Sequence, residues 1–127
     1  MTTSSSERTI LVVEDQPEVR SLLSDALEML GYRVLTAAHP DDGLALVDEH
    51  AEEIDLVLTD IVMPGMNGPE MAQRLMLRHP LLRVLYLSGH GSEALAPLGV
   101  PEGSASVLKK PFTMDALVER VAGALCL

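Results

Sequence analysis

The sequence predicts an α/β fold of (βα)5 order, a five-stranded parallel sheet with helices on both faces. Three observations predict it. Short aliphatic runs alternate with amphipathic stretches along almost the whole chain. Hydrophobic residues make up 47% of the 127 residues while aromatics supply only 2%, so the core must be built from Leu, Val, Ile, Met and Ala, which suits strands buried on both faces. Finally, an acidic pair, a single Asp, a Ser and a Lys fall at the ends of four of the five strand-like runs. In a parallel sheet all those ends share one edge, where such folds place their ligand sites.

The elements follow in order. Thr9 to Val13 reads as a strand, and residues 18–30 as a helix with Pro17 near its first turn. Its apolar positions Val19, Leu22, Leu23, Ala26, Leu27 and Leu30 repeat with helical spacing, and Gly31 ends it as a C-terminal cap. A strand over 33–38 leads to a helix over 41–50, opened by Pro40. A third strand over 55–59 is followed by a Pro/Gly loop and a helix over 69–78, ended by His79-Pro80. A fourth strand covers 83–87 and a short fifth 106–109. Thr113 caps the last helix, with Met114, Leu117, Val118, Val121 and Leu125 on one face. Between the last two strands Ser92 to Leu98 has room for a turn or two of helix, and Pro97, Gly99, Pro101 and Gly103 forbid a longer one. That helix is expected to be stunted and mobile.

Residues 1–8 read as a disordered, serine-rich leader or linker, without the apolar core of a secretory signal, and 9–127 as one domain. The formal net charge of −10 argues against nucleic-acid binding by this chain, because an acidic surface repels phosphate backbones. The one cysteine, Cys126, excludes an internal disulfide and fits a reducing, cytoplasmic setting. No apolar run approaches the ~20 residues that span a bilayer, so direct membrane contact is not expected.

Asp60 is the most informative residue. It ends the apolar run Ile54-Asp55-Leu56-Val57-Leu58-Thr59 and precedes Ile61-Val62-Met63-Pro64-Gly65-Met66-Asn67-Gly68. Glu14-Asp15 ends the first strand, Ser88 the fourth and Lys109-Lys110 the fifth. Carboxylates, a hydroxyl and a lysine on one edge suit a Mg²⁺ and phosphoryl site, since Mg²⁺ is a hard cation that takes oxygen ligands. Each residue also has a plainer reading. Asp60 could cap the following loop, Asp15 could be the N-cap of the first helix, Ser88 could be a turn residue before Gly89, and Lys110 a solvated lysine. His39, His50, His79 and His90 are scattered without metal-ligand spacing.

Four segments, "ILVVEDQPEVR", "DLVLTDIVMPGMNGPE", "VLYLSGHG" and "VLKKPF", come in an order that resembles the receiver domain of two-component signalling, the response-regulator fold, and the likeness covers about Thr9 to Leu125. This resemblance implies a flavodoxin-like sheet in strand order 2-1-3-4-5. It implies Asp60 as the phosphoacceptor, with Ser88 and Lys110 contacting the phosphoryl oxygens. It implies Mg²⁺ held by Asp15 and Asp60, with help from Glu14 and the backbone carbonyl of Val62. Adjacent strand residues face opposite ways, so only one of Lys109 and Lys110 points inward, and the family pattern selects the one before Pro111, with a cis Lys110-Pro111 bond. Gly89 would leave room for the phosphodonor, and His90 at the site rim could tune dephosphorylation.

The implied partner is a sensor histidine kinase or a histidine phosphotransfer domain, and the implied role is a signalling module rather than a turnover enzyme. The style of the motifs resembles receivers at the C-terminus of hybrid sensor kinases, with a single-domain response regulator as the alternative and excision from a larger protein also open. Two other classes compete. Phosphohydrolases of the haloacid-dehalogenase type carry a second acid two residues after the nucleophile, where this chain has Val62. A degenerate receiver acting only as a binding surface normally lacks the acids kept here. One departure from the family pattern is Val107, where many members carry an aromatic that swings inward on phosphorylation. Valine is stiff at χ1, so that relay is in doubt. A weakened face beside the fifth strand points to a monomer.

Overall fold

The structure is a computed structural model that describes residues 8–61, 65, 68–88, 107–109 and 112–126, with the backbone alone for Ser88 and Cys126. The elements are β1 (Thr9–Val13), α1 (Pro17–Met29), β2 (Arg33–Ala37), α2 (Pro40–His50), β3 (Ile54–Asp60), α3 (Gly68–Arg78), β4 (Arg83–Ser88), β5 (Val107–Lys109) and α4 (Met114–Cys126). The strands form one five-stranded sheet in the order β2-β1-β3-β4-β5, every pairing parallel. The predicted fold class and strand order therefore hold. The expected short helix over 92–98 lies outside the described residues.

Strand alternation divides the aliphatic residues between two cores. Ile10 and Val12 of β1, Leu56 and Leu58 of β3, Leu85 and Leu87 of β4 and Leu108 of β5 pack with Leu23, Ala26 and Leu27 of α1 and Leu117, Val121 and Leu125 of α4. Leu11, Val13 and Val57 face the other way, against Val47 of α2 and Met71 and Leu75 of α3. Such continuous burial on both faces is why β1 and β3 read as uninterrupted apolar runs.

The helix ends have local causes. Pro17 occupies the first turn of α1, and Gly31 follows its last turn at φ 96, a left-handed conformation that glycine adopts without a Cβ clash. In α4 the Thr113 Oγ1 accepts a hydrogen bond from the Ala116 N–H at 3.0 Å, the predicted cap. At the other end of α4, Arg8 and Arg83 both donate to the Leu125 carbonyl, at 3.2 and 2.6 Å, which satisfies a carbonyl the helix leaves open.

The structure decides against one alternative and narrows two helix faces. The N-cap of α1 is Gln16, which makes no side-chain cap bond, so the plainer reading of Asp15 as the cap falls, and the Asp15 carboxylate lies with those of Glu14 and Asp60. Leu22 and Leu30 of α1 are 62% and 39% exposed, because the stripe that meets the sheet is only as wide as Leu23, Ala26 and Leu27. Met114 and Val118 of α4 are likewise exposed, flanking the buried stripe of Leu117, Val121 and Leu125.

Candidate functional site

Strand register builds the site. In the β1–β3 pair Val13 lies opposite Thr59, so the next residue of each strand, Glu14 and Asp60, extend side by side from the carboxyl edge. Asp15 follows in the turn to α1. One ligand oxygen from each of Glu14, Asp15 and Asp60 lies within 4.8 Å of the others. Glu14 is fully buried, Asp60 is 6% exposed and Asp15 is half-buried. Gathering like charges in a site of low dielectric is costly unless a cation offsets it. An oxygen-only set of carboxylates is also what a hard divalent cation takes, so the residues fit such a metal.

Backbone contacts hold the turn. The Glu14 N–H donates to the Ala37 carbonyl of β2 at 3.0 Å, which prolongs the sheet by one rung. The Glu14 Oε2 accepts from the Gln16 N–H at 3.1 Å. The carboxylate thereby satisfies the amide of the N-cap residue at the start of α1. Arg20, one turn into α1, donates from Nη1 to the Glu14 carbonyl at 2.8 Å.

On the other side of Asp60, the Ile61 N–H donates to the Leu87 carbonyl at 3.0 Å, and the Gly68 N–H donates to the Ile61 carbonyl at 2.8 Å. These two bonds bring the start of α3 against the end of β3. Gly68 makes this closure possible, since a Cβ there would meet the Asp60 carbonyl oxygen at 2.1 Å. Thr59, fully buried, donates from Oγ1 to the same Asp60 carbonyl at 3.1 Å.

The neighbouring strands approach from β4 and β5. Leu87 pairs with Asp60, which sets the Ser88 backbone one residue further along β4, and Ser88 pairs in turn with Lys109. Lys109 is exposed. Of the predicted site residues, the structure brings Glu14, Asp15 and Asp60 together. Ser88 is placed by its backbone, and Val62, Lys110, Pro111, Gly89 and His90 lie outside the described residues.

Behind the edge, Thr59, Tyr86 and Val107 form one row across β3, β4 and β5. Val107 and Ile61 are buried, and Tyr86 packs on both. Burial raises the Tyr86 phenol above its ordinary value near 10.0. Position 107 is a buried valine, and the aromatic of this row is Tyr86 on the adjacent strand.

Sequence reasoning did not single out Gly68, Arg20 or Tyr86. The Asn67-Gly68 dipeptide was a turn signal that could have flagged the first. The other two carry no local signal, because their roles depend on which strand or turn they reach.

Comparison with known proteins agrees with this architecture. The family model described as "Response regulator receiver domain" matches residues 10–122. The chain is 39% identical over 113 residues to the response regulator receiver protein CpdR of Brucella abortus, covering 88% of this chain and 92% of that protein. It is 34% identical over 117 residues to the sensor kinase CckA of the same organism, covering 92% of this chain but spanning only 12% of the kinase. Among solved structures, a response regulator receiver domain protein from Clostridium thermocellum superposes with a TM-score of 0.84 at 32% identity, covering 94% of each chain.

Proposed function

The chain belongs to the response regulator receiver family of two-component signalling, and from that premise we propose that Asp60 is its phosphoacceptor. The carrying observation is the cluster of Glu14, Asp15 and Asp60, with one oxygen of each within 4.8 Å of the others at the end of β1 and β3. Asp60 is the member that ends a strand inside the sheet, paired with Leu87 of β4 and directly following Thr59, which lies opposite Val13 of β1, so its carboxylate has a fixed direction of attack.

The chemistry is a transfer between two nucleophiles. A carboxylate oxygen of Asp60 attacks phosphorus, the bond to the donor imidazole nitrogen breaks, and the imidazole leaves with that electron pair, giving an acyl phosphate. Glu14, Asp15 and Asp60, with the Val62 carbonyl that the family pattern adds, would hold a Mg²⁺ ion. When bound, that ion supplies positive charge against the incoming phosphoryl oxygens. Lys110 and Ser88 are assigned the remaining phosphoryl contacts, an ion pair and a hydrogen bond. The donor is a phosphohistidine on a sensor histidine kinase or a phosphotransfer domain. The module gains and loses one phosphoryl group and biases its own conformations, rather than turning over a substrate pool.

We read its setting as the receiver segment of a hybrid kinase, which the match to a kinase such as CckA supports. A free-standing regulator is the second reading, favoured by the match to CpdR over nearly the whole of that protein.

The test is phosphorylation by acetyl phosphate with and without Mg²⁺, read by intact mass, with Asp60→Asn alongside. A Mg²⁺-dependent adduct in the wild type and none in the variant is the expected result. An adduct in Asp60→Asn at the wild-type rate overturns the assignment.

A further inference from the structure

We propose that Arg20 is a positioning residue for the metal, acting through the backbone of Glu14. The inference deepens the reading of the acidic site as a Mg²⁺ site and rests on it. Glu14, Asp15 and Gln16 link the end of β1 to the start of α1, three residues of chain that two elements must aim jointly. The β side of this turn is fixed by the Glu14 N–H on the Ala37 carbonyl. The α side has no side-chain cap: Gln16 makes none, and Pro17 has no amide hydrogen to give. The Glu14 carboxylate on the Gln16 N–H and the Arg20 guanidinium on the Glu14 carbonyl tie the turn to α1.

These two tethers differ in consequence. The first uses an oxygen of a carboxylate that a cation would also claim, so it competes with metal binding. The second uses a carbonyl outside the carboxylate cluster, so it remains when Glu14 turns its oxygens to a metal. The Glu14 carbonyl belongs to the peptide that joins Glu14 to Asp15. Fixing its direction fixes the plane from which the Asp15 side chain departs. The guanidinium is a charged donor meeting the carbonyl of a buried residue, the stronger kind of hydrogen bond. The Arg20 backbone is itself set by the helix, its N–H donating to the Gln16 carbonyl at 2.9 Å. The direction of α1 is therefore passed to the acids through one side chain.

Charge alone would predict the opposite effect. A guanidinium near three carboxylates opposes a second cation, so its removal by itself should tighten Mg²⁺ binding. The tether and the charge thus give opposite signs, and one substitution separates them. Arg20→Met keeps an unbranched aliphatic stem and removes both donor and charge. Arg20→Lys keeps a cationic donor that can reach the same carbonyl.

The experiment is a titration of the full chain with MgCl₂, followed by backbone amide chemical shifts, which report folding in the same spectra. Arg20→Met is expected to weaken Mg²⁺ binding about tenfold, the usual size of a lost outer-shell contact, and Arg20→Lys to recover most of that. The melting temperature in EDTA reports any purely structural cost. Arg74→Ala on α3, an exposed arginine in an ion pair with Glu70, serves as the control with unchanged affinity. Equal or tighter binding in Arg20→Met overturns the proposal while leaving the Mg²⁺ site standing. No Mg²⁺ binding in the wild type overturns both.

Discussion

A methyl group on Gly68 would lie 2.1 Å from the carbonyl oxygen of Asp60. The residue that starts α3 and the residue that ends β3 are thus in backbone contact across seven intervening positions of chain, and nothing larger than hydrogen fits between them. Gly68→Ala must open this contact, displacing either the helix start or the end of β3. The expected outcome is a loss of about 2 kcal/mol, the range for overpacking a tight site, measured by urea unfolding. The same variant should lose much of its rate of adduct formation from acetyl phosphate. An Ala variant as stable as the wild type would mean that the loop absorbs the methyl without strain.

The carboxylate cluster should cost stability in the absence of metal. In EDTA, Asp60→Asn is expected to melt higher than the wild type by about 4 °C, corresponding to about 1 kcal/mol for a domain of this size. Added Mg²⁺ should raise the wild-type melting temperature, by about 1.4 kcal/mol at ten times the dissociation constant, and raise the variant's less. Differential scanning calorimetry with and without Mg²⁺ checks both. A metal-free Asp60→Asn protein that melts lower than the wild type would show that hydrogen bonds to the carboxylate outweigh the repulsion.

Val107 is buried against Tyr86 and Ile61. Replacing it by Tyr forces a second phenol into that row and should cost about 1–3 kcal/mol of stability. Residue 107 takes no part in the chemistry, so Val107→Tyr should still form the acyl phosphate. Intact mass after acetyl phosphate treatment tests this, and a folded variant that forms no adduct would contradict it.

Tyr86 gives the protein an alkaline limit. Burial raises its folded pKa, so the folded state holds the phenol proton more tightly than the unfolded chain does. The contribution is therefore full below the unfolded value near 10 and is lost as pH rises through the raised folded value. Tyr86→Phe removes this term. Chemical unfolding between pH 9 and about 11 should show a smaller loss for the variant than for the wild type, and identical pH profiles would assign the alkaline loss to other groups.

Strand positions, the parallel order and the acidic edge were legible because each rests on a local pattern: aliphatic runs, helix caps and acids at strand ends. Burial within a helix was less so. Leu22 and Leu30 repeat at helical spacing as faithfully as Leu23 and Leu27, and only the docking angle on the sheet decides which are covered. Asp55 shows a similar limit. A charged residue inside β3 looks like an interruption, yet its carboxylate accepts the Thr9 N–H at 2.9 Å where the β1–β3 register shifts. Such a role depends on a partner 46 positions away and leaves no trace in the neighbouring sequence. The tether from Arg20 is hidden for a related reason: an arginine in the second turn of an amphipathic helix looks like any solvated cation.

The alignment of Val13 with Thr59 has a consequence for how this protein could be altered. The spacing of Glu14 and Asp60 follows the β1–β3 register, which the interlocking aliphatic side chains of the two strands hold together with the backbone ladder. A slip of one residue along a strand is about 3.3 Å and would also turn Asp60 to the opposite face. The greasy interior therefore serves as a ruler for the acids at its tip. Conservative exchanges among Val, Ile and Leu deep in the sheet, with no charged group in view, are then a route by which the reactivity of the rim can be retuned without touching a reactive residue.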